Sequence, residues 1–320
     1  MVKVMKIQKD RKTHSGRIRQ QSLQRSETIA FYLLLMPWLG GFIIFTVLGS
    51  LFSFGMSFTE WDLFHPMKFI GLNNYLRMFT DTPRYFRDPV FFKSLGVTFL
   101  FTFMSVPVTL VFSLFLALVM NVKVKGIPAF RTVFYLPSVV SGISVNMLWL
   151  WIFNKDYGLL NILLGRFGIP ALSWLKDPVL VLPSLTIMGL WGAGGGAIIF
   201  LAGLKGIPVQ LYEAASIDGA GAFRRLTRIT LPMLSPVILF NLVMGLIGAF
   251  QTFMSSFVMT DGGPDNMTAF ISLIIYRNAF LARNMGYAAA LSWITLVIIA
   301  VFTLFIFRTS AKNVYYETGK

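Results

Sequence analysis

The sequence predicts an all-α membrane protein, a polytopic bundle of six transmembrane helices with a short extra helix in one cytoplasmic loop. Composition is the first observation behind this prediction. Of the 320 residues, 56% are hydrophobic and only 13% are charged, which is about half the charged share of an average soluble domain. The second observation is that the charged residues are clustered, which leaves six long runs without any Asp, Glu, Lys or Arg.

Each charge-free run is long enough to cross a bilayer, which takes about 20 helical residues. The runs are 28–59, 94–122, 132–154, 178–204, 229–260 and 284–307. The next longest, 266–276, is too short to span. A buried helix of a soluble protein explains one such run, but not six together. Strands of a membrane barrel have about 10 residues and alternate in polarity, unlike these runs. We therefore expect one membrane domain over 28–308.

The distribution of basic residues predicts the orientation. If the N-terminus lies inside, the inside segments hold 18 of the 28 Lys and Arg residues, and the outside segments hold 10. Positive charge accumulates on the cytoplasmic side of membrane proteins, so both termini are predicted to be cytoplasmic. We interpret 1–27 as a basic cytoplasmic tail near anionic lipid head groups, not as a nucleic-acid-binding segment, and 309–320 as a second cytoplasmic tail. The tail 1–27 is not interpreted as a secretory signal peptide either.

Several kinds of chemistry are missing from the sequence. There is no cysteine, and His14 and His65 are too few and too far apart to predict a metal site. No phosphate-binding Gly-x-x-x-x-Gly-Lys-Ser/Thr motif occurs, and no catalytic cluster is recognisable, so we predict that the chain is not an enzyme. The runs contain no carboxylate, Lys, Arg or His, which argues against proton coupling but leaves sodium coupling open.

The predicted cytoplasmic loop 205–235 contains a short helix. Pro208 suits the first turn of a helix, and Val209 to Ile217 can continue it. Gly219 and Gly221 are expected to end it in left-handed conformations.

A second short helix is expected from Ala222 to Thr230, ending before Pro232. In the first helix, Tyr212 and Ala215 share one side, while Glu213 and Asp218 supply charges for ion pairs. The first helix is therefore a candidate docking element for a soluble protein, or else an ordinary solvated loop.

The residues of this loop resemble a family motif. Glu213-Ala214-Ala215-x-x-Asp218-Gly219-Ala220, followed by Leu231-Pro232, is similar to the EAA loop of ABC importer permeases. The resemblance implies that the loop forms a coupling helix seated in a groove of an ATPase subunit. The residues it assigns to this contact are Glu213, Ala214, Ala215, Asp218, Gly219, Ala220 and Gly221.

Four further segments resemble the carbohydrate branch of that family, in the style of the larger maltose permease subunit. They are 69–75, 130–137, 157–161 and 260–264 with Thr268. The long external domain of some members is absent, because loop 60–93 is too short for it.

The resemblance implies a permease subunit of an ATP-driven sugar or oligosaccharide importer in a prokaryotic cytoplasmic (inner) membrane. Its implied partners are a second, homologous permease, two ATPase subunits that bind ATP and Mg, and an extracytoplasmic substrate-binding protein. The chain itself would contact lipid, hold no cofactor and bind no nucleic acid. Two alternatives stay open: an ABC importer permease for a non-sugar solute, and an ion-coupled secondary carrier.

Sugar sites combine aromatic faces with hydrogen-bonding side chains, and six residues within the runs fit that description. These substrate-path candidates are Asn146, Trp149, Trp151, Trp191, Asn241 and Gln251. Trp151 also suits an interface anchor, and Asn241 also suits helix packing. Asn241, Gly245, Gly248 and Thr252 share one helical face, which either packs on another helix or lines a polar cavity. The glycines of 192–196 predict either close helix packing or a flexible point.

Overall fold

The structure is a computed structural model that describes residues 28, 30–81, 87–122 and 124–310. The predicted tail 1–27 and residues 311–320 lie outside the described residues. The chain divides into two compact units, Met1–Met56 and Ser57–Lys320. In the first unit, helix α1 (Ala30–Met56) forms the first span. Directly after the Gly40-Gly41 pair it widens into a π-helical segment, Phe42–Leu48.

The second unit begins with a loop that carries a small antiparallel hairpin. Strand β1 (Thr59–Glu60) pairs with β2 (Lys68–Phe69), and the short helix α2 (Asn73–Leu76) follows. The long helix α3 (Phe91–Met120) then runs straight through Pro107.

The remaining helices are mostly shorter. They are α4 (Ile127–Tyr135) with a 3-10 turn (Leu136–Val139), α5 (Gly142–Ile152), α6 (Leu159–Gly165), α7 (Val181–Trp191), α8 (Gly194–Gly206), α9 (Val209–Ile217), α10 (Ala222–Met233), α11 (Ser235–Phe250), α12 (Ile271–Leu281) and α13 (Met285–Ser310).

Three of the six predicted spans are bent pairs and not single helices. By length and composition, α1, α3 and α13 can each cross a membrane alone. The pairs α4–α5, α7–α8 and α10–α11 bend by 101°, 52° and 67°. Each break has a local cause: extended backbone at Val140, a helix end at Gly192, and a proline in the first turn of α11. By length and composition, the described residues hold three spans, or up to six if each bent pair counts as one, which agrees with the six predicted.

Helix α3 is the centre of the second unit, where α7, α8 and α11 pack against it. Three buried hydrophobic clusters lie along the unit. The first joins α3, α8 and the start of α11 through Met120, Phe200 and Leu234. A second surrounds Tyr287 of α13, and a third brings together Phe101, Phe153, Leu185, Met259 and Phe270.

Candidate coupling loop and substrate cavity

Helix α9 has the bounds that the sequence predicts, and the geometry of its C-terminal end explains why glycine stands at position 219. The N–H of Ala220 donates to the Ala215 carbonyl at 2.8 Å, and the N–H of Gly219 donates to the Ser216 carbonyl at 3.1 Å. Together these bonds form a Schellman cap, which needs a left-handed residue just past the helix. Gly219 supplies it with φ +70°.

Two predictions for the neighbouring residues were wrong. Gly221 is not left-handed but has φ −66° and ψ 168°, and it starts α10 as its N-cap. The second helix does not end at Thr230 but continues through Pro232 to Met233. A π-helical turn over Leu226–Thr230 precedes the proline. This wider turn accommodates the ring and the missing N–H of Pro232.

Polar contacts fasten α9 to α10. The hydroxyl groups of Tyr212 and Thr230 lie 2.9 Å apart, and Arg225 donates to Ser216 Oγ at 3.1 Å. The Tyr212 ring also packs against the buried cluster that contains Leu204 and Leu234. One side of α9 is therefore held by the membrane helices.

The opposite side of α9 is open. Ile217 is 88% exposed, and Phe223 at the start of α10 is 79% exposed. Glu213 and Asp218 are exposed as well, and neither forms an ion pair with another described residue. Two large apolar side chains beside two unpaired carboxylates form a surface suited to a protein partner.

Replacing Tyr212 with phenylalanine should loosen α9 while keeping its ring in place. Losing one hydroxyl pair typically costs about 1 kcal/mol, so we expect a fall of several-fold in the efficiency of solute uptake. Uptake per assembled complex is the measurement, with Tyr135→Phe as the matched control. The Tyr135 hydroxyl has no hydrogen-bond partner among the described residues, so its removal should change little. Equal losses in both variants would contradict the proposed fastening.

A cavity of about 400 Å³ lies between α3, α7, α8 and α11. Five polar side chains line its mainly apolar wall: Ser105, Thr109, Ser113, Asn241 and Thr252. Its volume is in the range of small-molecule sites. Both alternatives for the predicted stripe apply. Asn241 and Gly245 of α11 line the cavity together with Thr252 just past its end, and α11 packs on α3.

Of the six substrate-path candidates, Asn241 is the one that lines this cavity. Its amide nitrogen donates to the Val237 carbonyl at 2.9 Å. Among the described residues, its Oδ1 accepts no hydrogen bond, so this atom is available to a solute hydroxyl. The oxygen also faces Gly196, where an added Cβ would lie 3.4 Å away.

Three other candidates lie on α5 and α7 and do not line the cavity. Trp149 and Trp191 meet edge to face, with ring centroids 6.1 Å apart. Asn146 is 5% exposed and donates to the Gly142 carbonyl at 2.6 Å. Asn146 Oδ1 and Trp149 Nε1 are buried without a hydrogen-bond partner in the described part of the chain. Two such unsatisfied atoms one helical turn apart suit a solute or water contact.

The last two candidates lie elsewhere. Trp151 is 49% exposed, which agrees with an interface anchor. Gln251 ends α11, is exposed and does not line the cavity. The hydroxyl residues of α3 were missed, although Ser105, Thr109 and Ser113 recur every four residues in a charge-free run. That spacing is itself the signal of a polar helical face.

The glycine run at the junction of α7 and α8 allows close helix packing. A Cβ on Gly194 would overlap the Phe134 carbonyl oxygen, so α8 starts in contact with the α4 backbone. Ser113 Oγ donates to the Ala193 carbonyl at 3.0 Å. The same carbonyl also accepts the Ala197 N–H at 3.0 Å, so this second bond ties the start of α8 to α3.

Comparison with known proteins identifies this arrangement. Residues 85–312 match the family model described as "Binding-protein-dependent transport system inner membrane component". The chain belongs to this family of ABC importer permeases. It is 42% identical over 298 residues to the probable ABC transporter permease protein YesP of Bacillus subtilis, covering 92% of this chain and 94% of YesP.

Two further matches point to sugar permeases. The trehalose/maltose transport system permease protein MalF of Thermococcus litoralis is 34% identical over 275 residues, with 85% and 90% of the two chains covered. A chain of the bacterial alginate ABC transporter, crystallised with an alginate pentasaccharide-bound periplasmic protein, matches with a TM-score of 0.76. It is 26% identical and covers 90% of this chain and 96% of its own. The importer permease prediction is therefore favoured over the ion-coupled carrier.

In this ABC permease, one continuous route joins the loop to the cavity. Helix α9 is fastened to α10 by the Tyr212–Thr230 pair, and α10 passes through the buried Leu234 into α11. Seven residues beyond Leu234, Asn241 faces the cavity. A displacement of α9 is therefore connected to the cavity wall by two helices and one bend.

Proposed function

We propose that this permease carries a sugar or oligosaccharide across the membrane, and that ATP hydrolysis on partner subunits drives it through α9. The single observation that carries the proposal is the connection from the exposed α9 through α10 to the cavity-lining α11. A partner that pushes on α9 then acts on the same helix that contacts solute. The seven residues Glu213, Ala214, Ala215, Asp218, Gly219, Ala220 and Gly221 form the ATPase contact in this proposal.

The sugar assignment is supported by the relatives and by the cavity. MalF of Thermococcus litoralis is named for trehalose and maltose, and the solved transporter is named for alginate. Hydroxyl and amide groups in a mostly apolar wall suit a sugar, whose hydroxyls need partners and whose ring faces are apolar. In this proposal Asn241, Thr109 and Thr252 contact the solute directly, and Asn146, Trp149 and Trp191 border the path.

A second permease fits the open side of the cavity. Met244 and Ile199 line the cavity, yet they are 53% and 40% exposed. A homologous subunit placed there would close the cavity and cover these side chains. A substrate-binding protein would deliver solute to the opposite membrane face from α9, in keeping with the periplasmic protein in the alginate transporter complex. The two ATPase subunits would lie on the cytoplasmic face and bind ATP and Mg there. Both termini of this chain would lie on the same face.

The test compares the wild type with Glu213→Lys in a host strain that lacks the native gene. We expect the wild type to restore oligosaccharide uptake and to co-purify with an ATPase and a second permease from mild detergent. Glu213→Lys should lose the ATPase and the uptake but keep the second permease, because the reversed charge lies on the exposed side of α9. Glu213→Gln should show a weaker loss. A wild type that purifies alone, or imports without any ATPase, would overturn the proposal.

A further inference from the structure

A second pocket, of about 470 Å³, lies between the end of α5 and two loop segments of the second unit. Three segments build it: the end of α5 with residues 154–156, residues 173–176, and residues 259–264. Two of these segments fall mainly in loops predicted to be external. Two of its lining residues, Phe153 and Met259, belong to the same buried cluster as Phe101 and Leu185, which line the central cavity. One hydrophobic cluster therefore contributes side chains to both.

One buried side chain fixes the walls of this outer pocket. Asn161 is 7% exposed and bridges two of the segments. Its amide donates to the carbonyls of Lys155 at 3.0 Å and Leu172 at 2.9 Å. Its Oδ1 accepts from the Leu172 N–H at 3.1 Å and from Trp174 Nε1 at 2.9 Å. The backbone at Lys155 and the Trp174 ring are therefore held in place before any ligand arrives, which lowers the entropic cost of binding.

Two lysines without an ion-pair partner among the described carboxylates are part of the pocket lining. Lys155 and Lys176 are both exposed lining residues, and neither forms an ion pair with a described carboxylate. Asp156 also lines the pocket, so the local charge is one positive unit in excess. The basic residue Arg166 of the same predicted loop does not line the pocket. The two positive charges are thus concentrated where a solute can reach them.

The rest of the wall suits a sugar ring. Trp174 uses its Nε1 internally and packs against Phe153, with ring centroids 5.8 Å apart. Apolar side chains of Leu150, Leu175 and Met259 complete that wall. Aromatic surface beside unpaired ammonium groups matches a ligand that has an apolar ring face and a carboxylate at its edge.

We propose that the outer pocket is a receiving subsite for a carboxylate-bearing sugar unit, such as the uronate of an acidic oligosaccharide. Lys155 and Lys176 pair with its carboxylate, and Trp174 contacts the ring. The inference rests on the proposed function and names its substrate class. Solute released outside would be held here, over the hydrophobic cluster, before it enters the central cavity.

The experiment measures initial uptake by the complete importer in cells. The probes are trisaccharides of mannuronate, guluronate, galacturonate and glucuronate, each compared with its carboxyl-reduced neutral form. We expect the wild type to take up at least one acidic form faster than its neutral counterpart. Lys155→Gln combined with Lys176→Gln should raise the apparent KM for that sugar by about tenfold, because the double variant loses two partly solvated ion pairs. Uptake of neutral sugars and the maximal rate should stay unchanged.

Higher salt should slow uptake of the acidic sugar in the wild type and not in the double variant.

Arg166→Gln is the matched control, because it removes one positive charge from the same loop outside the pocket. The inference fails if the double variant behaves like this control. It also fails if only neutral sugars enter, and in that case the importer assignment itself stands. It fails again if the double substitution weakens the affinity of the importer for its substrate-binding protein in the absence of sugar, since the lysines would then contact that protein and not a solute. If no sugar of either kind enters, the proposed function falls together with the subsite.

Discussion

Replacing Gly219 with valine is expected to abolish coupled solute uptake while leaving the permease folded in the membrane. The Schellman cap of α9 holds this residue at φ +70°, where a side chain costs about 1–2 kcal/mol and a β-branched one more. A penalty of about 2 kcal/mol lowers the ratio of capped to uncapped α9 by a factor of about 30. Because nothing lies within 4 Å of an added Cβ, the effect comes from backbone strain and not from a clash. Uptake and ATP hydrolysis in proteoliposomes are the paired measurements, and hydrolysis should lose its response to the loaded binding protein.

Two companion variants separate this cause from general damage. Gly168 has the same left-handed backbone, φ +73°, with equally open surroundings, but it lies in the loop after α6. Gly168→Val should therefore cost similar stability and leave coupling intact. Gly219→Asn should retain much of the uptake, because asparagine tolerates this backbone region. Uptake at the wild-type level in Gly219→Val would show that the cap does not matter for coupling.

Gly194→Ala is expected to have the largest effect on stability. The new methyl group would overlap the Phe134 carbonyl oxygen and approach Phe134 C to 2.8 Å. Both partners belong to the backbone, so neither can turn aside, and overpacking of this kind costs about 3 kcal/mol or more. We expect a marked loss of folded protein and a lower melting temperature in detergent. Tryptophan fluorescence is a suitable probe, because Trp191 lies three residues before Gly194 and its ring meets that of Trp149.

The adjacent glycine provides the control for this variant. A Cβ on Gly195 would lie 3.7 Å from Ser138 Cβ, an ordinary contact distance. Gly195→Ala should therefore fold normally and transport solute. If the two alanine variants melt at the same temperature, the close approach of α8 to the α4 backbone is not what requires glycine at 194.

The sequence predicted the features that depend on local chemistry. Charge-free runs located the six spans, and Pro208 with Gly219 located α9 to the residue. The 101° bend between α4 and α5 was not predictable, because it follows from extended backbone at Val140, and valine carries no turn signal. Local rules also failed at Pro232, where a π-helical turn lets the helix continue. Asn241 was predicted as a hydrogen-bonding side chain in a charge-free run, and it lines the central cavity. Asn161 was missed as an organising residue, since its four main hydrogen bonds join Lys155, Leu172 and Trp174, which only the folded loop brings together.

The bent pair α10–α11 also has the proportions of an unequal lever. At about 1.5 Å per residue, the arm from Leu234 back to the start of α10 is about 18 Å long. The arm from Leu234 forward to Asn241 is about 10 Å. If the pair pivots at Leu234 as one rigid body, a 10° rotation moves the α9 end by about 3 Å and Asn241 by a little under 2 Å. The displacement at Asn241 is smaller than the displacement at the α9 end, and the force at Asn241 is correspondingly larger. A large stroke at the loop thus becomes a displacement at the cavity that is enough to break or make one hydrogen bond.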